Sequence, residues 1–120
     1  MITIAWLALV LVHTPPALAT FSPQLLKRMY GVDAGGALDL ILGHRGVLFL
    51  AVASVCALAA FNAEARLAAA LVTSISVVGF LIAYVLYGSP KRLRTIALVD
   101  AAALIPLAIV LLDVWSRLPV

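Results

Sequence analysis

Four long apolar runs, separated by short polar connections, dominate the chain. They cover approximately residues 2–21, 37–61, 67–87 and 96–115. Each run is close to or above the roughly 20 residues that an α-helix needs to cross the hydrocarbon core of a bilayer. None of the runs alternates between apolar and polar positions, as a strand of a membrane barrel does. The pattern therefore predicts four transmembrane helices.

A shorter amphipathic pattern lies between the first two runs, at residues 23–30 (PQLLKRMY). Ser22 is a favourable N-cap, a proline suits the first helical turn, and Gly31 is a natural terminator. The apolar side chains of this segment share one face and its two cations point elsewhere. This pattern is typical of a short helix that lies in the membrane surface. We expect Asp33 to cap the long helix that follows.

Composition supports the membrane class. Of the 120 residues, 66% are hydrophobic and 11% are charged, whereas soluble domains are about half apolar and a quarter charged. The net charge of +3 comes from eight scattered cations, which form no patch for nucleic acid. The lone Cys56 has no partner for an internal disulfide and is expected to be a small buried residue. The prediction is one all-α transmembrane domain over residues 1–120, a four-helix bundle with an interfacial helix between the first two spans.

The first apolar run has a second interpretation as a signal peptide, because Ala17-Leu18-Ala19 resembles a cleavage site. Such peptides usually carry a basic residue ahead of the apolar centre, and this run has none. We therefore interpret it as the first transmembrane helix, interrupted by the cluster His13-Thr14-Pro15-Pro16.

The cations predict the orientation of the bundle. Six of the eight flank the first and third connections, and two lie on the opposite side: Lys27, Arg28, Arg45, Lys91, Arg92 and Arg94 against Arg66 and Arg117. By the positive-inside rule, both basic connections face the cytoplasm and both termini lie outside the bacterial inner membrane. Trp6 and Trp115 are then expected at the outer interface, with the three tyrosines near the inner one.

Helix packing in lipid depends on small residues that allow close approach. Ala53 and Ala57 on the second span, and Gly79 and Ala83 on the third, have the required spacing of four. Gly79 is the most informative, because glycine inside a helix costs about 1 kcal/mol relative to alanine unless packing compensates. Chance spacing in an alanine-rich chain is the alternative for the first pair.

Polar residues at membrane depth are expensive and are therefore candidates for function. With the predicted orientation they converge on the cytoplasmic half of the bundle: His13, Asp39, His44, Arg45, Tyr84 and Asp100. Several of them also have a structural interpretation. Asp100 suits the positive end of a helix dipole, Arg45 suits the headgroup region, and His13 suits a backbone carbonyl freed by the two prolines.

The two histidines raise the question of a cofactor. If the first two spans are neighbours, His13 and His44 could ligate haem iron, or bind a divalent metal together with Asp100. Asp39 and Tyr84 are further ligand candidates. No His-x3-His, Cys-x-x-Cys or Glu-x-x-His spacing supports such a site, so a cofactor stays open.

One short motif carries a resemblance. Tyr30-Gly31-x-Asp33, followed by Leu-x-His44-Arg45 in the second span, resembles small bacterial four-helix membrane proteins of the broad DoxX-like group. The resemblance implies a four-helix bundle in a bacterial inner membrane and supplies no catalytic residues. The chain is also similar in length and helix count to small multidrug exporters. Their first helix carries an essential glutamate, however, where this one has only His13.

Two hypotheses of function follow. The first is a non-enzymatic membrane protein that works by association, as a homo-oligomer or an accessory subunit of a membrane complex. The second is a membrane enzyme or carrier for a lipophilic molecule, with a polar pocket open to the cytoplasm. In the second, His44 transfers protons near neutrality, Arg45 orients an anionic or carbonyl group, and Asp100 sets the tautomer of the histidine.

Overall fold

The computed structural model describes residues 1–19, 21–30 and 36–119. This part of the chain is helical and contains no strand. Its α-helices are α1 (Ile2–Ala19), α2 (Pro23–Tyr30), α3 (Ala37–Phe61), α4 (Arg66–Leu86) and α5 (Arg94–Arg117). Short 3₁₀ turns at Ala63–Ala65 and Lys91–Leu93 lead into α4 and α5.

Four of these helical segments are long and apolar enough to cross a membrane. They are Ile2–Ala19, Ala37–Phe61, Ala63–Leu86 and Lys91–Arg117, where the last two include the 3₁₀ turns. The predicted all-helical chain with four such helices is therefore confirmed. The bounds of α2 and α3 and the start of α1 match the predicted ones, and the other helix ends differ by one or two residues.

The proline pair lies inside α1 and does not end it. Pro15 and Pro16 lack the N–H groups that would bond the carbonyls four residues earlier, yet only three further residues of helix follow them. Just before the pair, the Thr14 hydroxyl donates to the Val10 carbonyl at 2.7 Å. The predicted interruption is thus wrong, and the prolines lie in the last turns of one continuous helix.

The core of the bundle forms where α1 packs against α3 and α5, and α4 packs against both α3 and α5. Its largest fully buried side chains come from several helices: Trp6, Leu9, Val77, Leu107 and Val110. The outward faces of the long helices carry exposed leucine, isoleucine and valine. Because a helix that is apolar on all sides is typical of a membrane span, this surface suits a hydrocarbon environment.

One end of the bundle, here called the terminal end, contains Met1, the connection 62–65 and the end of α5. Three contacts tie α3 to α4 or α1 here. Arg66 Nε donates to the Ala59 carbonyl at 3.1 Å, and the Thr3 hydroxyl donates to the Ala60 carbonyl at 3.2 Å. Slightly deeper, the buried Cys56 Sγ lies 3.1 Å from the Thr73 hydroxyl. Cys56 is therefore buried, as predicted.

An ion-pair cluster joins α4 to α5 at the terminal end. Asp113 accepts from both Nε and Nη2 of Arg117, at 3.1 and 2.9 Å. It also accepts from Arg66 Nη1 at 3.3 Å. The pairing of Asp113 with Arg117 fits their one-turn spacing along α5. The Arg66 contact depends on tertiary packing instead.

The opposite end, here called the basic end, contains α2 and the connection 87–93. Leu25 and Met29 of α2 pack against the fully buried Ala19. Ser22 caps α2 as predicted, because its hydroxyl accepts from the Leu25 N–H at 3.2 Å. The predicted roles of Gly31 and Asp33 lie outside the described residues.

One prediction about the interfacial aromatics is corrected, and the four predicted packing residues divide between inward and outward faces. Trp6 is fully buried, so it does not join an interfacial belt, whereas Trp115 is 73% exposed. Ala53 is buried and Ala57 half-buried as expected, but Gly79 faces outward. A methyl group added at Gly79 would meet nothing within 4 Å. The glycine therefore makes no close helix contact inside the chain, and Ala83 beside it is only half-buried.

Candidate functional site

A cavity of about 390 Å³ lies at the basic end between α1, α2, α3 and α5. Apolar side chains form most of its wall, including Val12 and both prolines of α1, Met29 of α2, Phe49 of α3, and Ile96 and Val99 of α5. Charged side chains from four different segments also reach it: Arg28, Arg45, Arg92 and Asp100. The described lining thus combines three cations and one carboxylate with an apolar wall.

Asp100 is the carboxylate of this cavity and is only 7% exposed. It is the seventh residue of α5, beyond the first turn where a helix dipole stabilises an acid. Arg45 lines the same cavity and is near enough for its positive charge to act on Asp100, and such a counter-charge stabilises a buried carboxylate. The structure therefore favours an internal charge partner for Asp100 over the helix-dipole interpretation.

Arg45 is half-buried and is held by two aromatic rings. Its guanidinium carbon lies 5.2 Å from the ring centre of Phe49, one turn along α3, and 5.0 Å from that of Phe80 on α4. Cation–π contacts of this kind are worth about 0.5–2 kcal/mol each, more where water is excluded. They position Arg45 between α3 and α4, rather than leaving it extended towards the headgroups.

His13 is 1% exposed and bonds at both ring nitrogens. Its Nδ1 lies 2.8 Å from the Leu9 carbonyl of the same helix, so Nδ1 carries the hydrogen. Its Nε2 then accepts from the Ser76 hydroxyl of α4 across a long 3.4 Å contact. The carbonyl of Leu9 is not one of those freed by the prolines, so that expectation is wrong. His13 links α1 to α4 beside the ring of Phe49.

The other predicted site residues lie elsewhere. His44 and Asp39 are exposed on α3 and do not line this cavity. Tyr84 stacks on Phe80 at 6.1 Å on α4. The predicted trio of His44, Arg45 and Asp100 is therefore divided, since only the last two share the cavity. Adjacent helical residues point about 100° apart, which explains why Arg45 turns inward while His44 stays outside.

The paired-histidine site receives no support from this geometry. His13 is buried with both nitrogens engaged, and His44 is exposed. Across residues 1–19, 21–30 and 36–119, no three His, Cys, Asp or Glu side chains come close enough to hold a metal ion.

A second cavity of about 490 Å³ forms a groove between α3 and α4. Its walls are almost entirely apolar, and it is more open to the outside than the first cavity. Arg45 and Phe49 line both cavities. The two volumes are therefore neighbours on either side of these two residues.

Sequence reasoning identified Arg45 and Asp100 but not their surroundings. Neither Arg28 nor Arg92 was predicted as a site residue, although both line the cavity. The spacing of four between Arg45 and Phe49 was a usable signal, since such residues are neighbours on a helix. Phe80 lies on another helix, and no local pattern marks its contact.

No protein-family model, curated protein sequence or solved structure matches this chain. The resemblance to DoxX-like proteins therefore stays a prediction.

Proposed function

We propose that the protein is a small membrane carrier or receptor that binds a lipophilic molecule with an anionic group. The observation that carries this proposal is the cavity at the basic end, where Arg28, Arg45 and Arg92 meet an apolar wall. Arginine binds carboxylate and phosphate groups through paired hydrogen bonds. The remainder of the cavity suits hydrocarbon.

The balance of charge favours an anion over a cation. Three guanidinium groups face one carboxylate among the described lining residues. Asp100 supplies a counter-charge to Arg45 in the ligand-free protein. An anion bound at Arg45 competes with the electrostatic attraction between Arg45 and Asp100.

Binding fits these residues better than catalysis. Neither histidine nor cysteine occurs among the described residues that line the first cavity, and Thr95 is its only hydroxyl. The proton-transfer role considered for His44 needs that side chain beside Asp100, whereas His44 is exposed on α3. The proposal is therefore a non-covalent binding function.

The membrane setting belongs to the same proposal. The four apolar helices span a bacterial inner membrane, with the basic end in the cytoplasm and both termini outside, as the distribution of cations favours. α2 then lies in the inner interface, with its exposed Lys27 and Arg28 beside headgroups. The cavity opens at the depth where anionic amphiphiles carry their charge.

The first test is native mass spectrometry of the protein gently extracted from its own membranes, combined with an absorbance spectrum. We expect a co-purifying amphiphile with one acidic group. Asp100→Asn should increase its occupancy, because the internal competitor of the ligand loses its charge. Glu64→Gln, in the exposed outer connection, is the matched control. Recovery of only neutral lipid, or a haem absorbance band, contradicts the proposal.

A second candidate function, self-association, is favoured by one observation on α4. Gly79 faces outward with open space around it, although glycine inside a helix is unfavourable unless packing compensates. We propose that a second copy of the chain supplies this packing, with Ala83 one turn further along the helix. This keeps the hypothesis of function by association as a homo-oligomer.

Gly79→Leu should weaken this self-association about tenfold or more, because a large side chain separates two closely packed helices. The fold should tolerate the change, since nothing inside the chain contacts this position. Ala108→Leu on the exposed face of α5 is the control. Energy transfer between labelled copies in bilayers measures the effect. A monomeric wild type, or a variant that associates equally well, would remove this candidate.

A further inference from the structure

The groove between α3 and α4 lies directly beside the charged cavity. Arg45 and Phe49 line both volumes, and the Arg45 guanidinium lies close to the rings of Phe49 and Phe80. A ligand whose charged group binds Arg45 therefore has two adjoining spaces available for its remaining atoms.

The groove has the composition expected of a hydrocarbon site. Its polar side chains are Arg45 at one end and Ser76, and the rest of its described lining is aliphatic or aromatic. Two of its wall residues, Leu48 and Ile75, are 55% and 66% exposed, so the groove opens on the outward apolar surface. Along α4 it extends from Val72 to Ala83, about 16 Å at 1.5 Å per residue.

From this continuity we infer that the ligand is a single-chain amphiphile, with its anionic head in the cavity and its hydrocarbon chain in the groove. The inference rests on the proposed function and adds the class of ligand and its route. The chain reaches the groove sideways from the bilayer, and Arg45 meets the head at the junction. A volume of about 490 Å³ falls within the range of small-molecule sites and suits one chain.

The chemistry of the head is shared by a lipid-like acid and by a free anion such as phosphate. The apolar groove favours the lipid-like acid, because a free anion has no hydrocarbon chain to bury in it. We therefore commit to the amphiphile. Occupation of the groove by a helix of a second copy, or by bulk lipid without selectivity, is a contrary outcome of the test below.

The test uses the full chain in lipid nanodiscs and a single-chain alkyl phosphate with a photoactivatable group at the end of its tail. After illumination, labelled positions are mapped by peptide mass spectrometry. We expect labels at the end of the groove far from Arg45, at wall residues such as Val52, Val72 and Ile75, and suppression by excess unlabelled alkyl phosphate. Inorganic phosphate at the same concentration should not suppress them.

Variants that fill the groove sharpen the result. Ala51→Phe on α3 and Ala83→Phe on α4 place a ring in it from opposite sides, and each should reduce groove labelling at least tenfold. Ala108→Phe, at an exposed alanine of α5 outside both cavities, should leave it unchanged. Because the two variants change different helices, the test still holds if one of them misfolds. Circular dichroism of each variant shows whether its helix content matches that of the wild type.

The outcomes separate this inference from the function on which it rests. Binding of a short-chain butyl phosphate that depends on Arg45, without groove labelling by the long-chain probe, overturns the groove and leaves the proposed function intact. Equal competition by inorganic phosphate assigns the site to a free anion and also overturns the inference. Labels spread evenly over all exposed helix faces have the same effect. Absence of binding by either alkyl phosphate contradicts both proposals.

Discussion

Replacing Arg45 by glutamine weakens binding of an anionic amphiphile by roughly 10- to 150-fold, the range that corresponds to one charged hydrogen bond. The expectation follows from the position of Arg45 at the junction of the cavity and the groove. Arg45→Lys should be intermediate, because an ammonium group keeps the charge but loses the planar fork and most of the stacking on two rings. Dissociation constants from photolabel competition in nanodiscs measure both effects.

The control for Arg45→Gln is Arg117→Gln, which removes the same charge at the terminal end, where Arg117 is 56% exposed. Binding by this control should match the wild type. If Arg45→Gln also binds like the wild type, the cavity is not the site of the anion.

Arg45 also supports the fold, so its removal has a second effect. Asp100 loses the nearby positive charge and stays buried, which lowers the free energy of unfolding. The double variant Arg45→Gln with Asp100→Asn removes the uncompensated charge. It should recover much of the thermal stability but none of the ligand binding, and this separates the two roles.

Trp6→Ala should lower the free energy of unfolding by about 3 kcal/mol, near the low end of the range for buried aromatic side chains. Trp6 is fully buried with Leu9 and Val110 in the same cluster, so truncation leaves a cavity and removes many close contacts. The low end applies because lipid also shields apolar groups in the unfolded chain, which leaves packing as the main loss.

Trp6→Phe should be much milder, within about 1 kcal/mol of the wild type. The indole Nε1 is buried and has no hydrogen-bond partner among the described residues. Phenylalanine removes this unsatisfied donor while it keeps most of the aromatic packing. Denaturation in mixed detergent micelles, followed by circular dichroism, ranks the variants. An equal loss of unfolding free energy in Trp6→Ala and Trp6→Phe would contradict this prediction. Trp115→Ala, at a 73% exposed site, is the control and should change the free energy of unfolding little.

The helices could be predicted from sequence because length and apolar content are local properties. The four spans, the short α2 and its Ser22 cap all follow from neighbouring residues. The pair of Asp113 and Arg117 also follows, since it lies within one turn of one helix.

The direction of each side chain around its helix could not be predicted. In a soluble helix the buried face is the apolar one, but lipid and bundle core are both apolar, so α1 and α3 carry no clear stripe. For this reason Trp6 was placed at the outer interface, although it lies in the core.

The candidate site was partly predictable. Arg45 and Asp100 stood out because charge at membrane depth is expensive, and their convergence on one cavity could be expected from their depth. His44, at the same depth, lies on the wrong side of α3. Which of the two neighbours, His44 or Arg45, points into the bundle depends on the rotation of α3 about its axis. A helix with apolar residues on all sides does not specify this rotation.

The contacts between α3 and α4 also have a mechanical consequence. At the terminal end the two helices are fastened by a short connection, by Arg66 on the Ala59 carbonyl and by Cys56 beside Thr73. Towards the basic end, one lateral contact between them is the face of Phe80 against Arg45. A molecule inserted into the groove would therefore separate α3 and α4 at the basic end, with a hinge at residues 62–65. Arg45 would leave Phe80 first and swing towards the cavity with its bound anion.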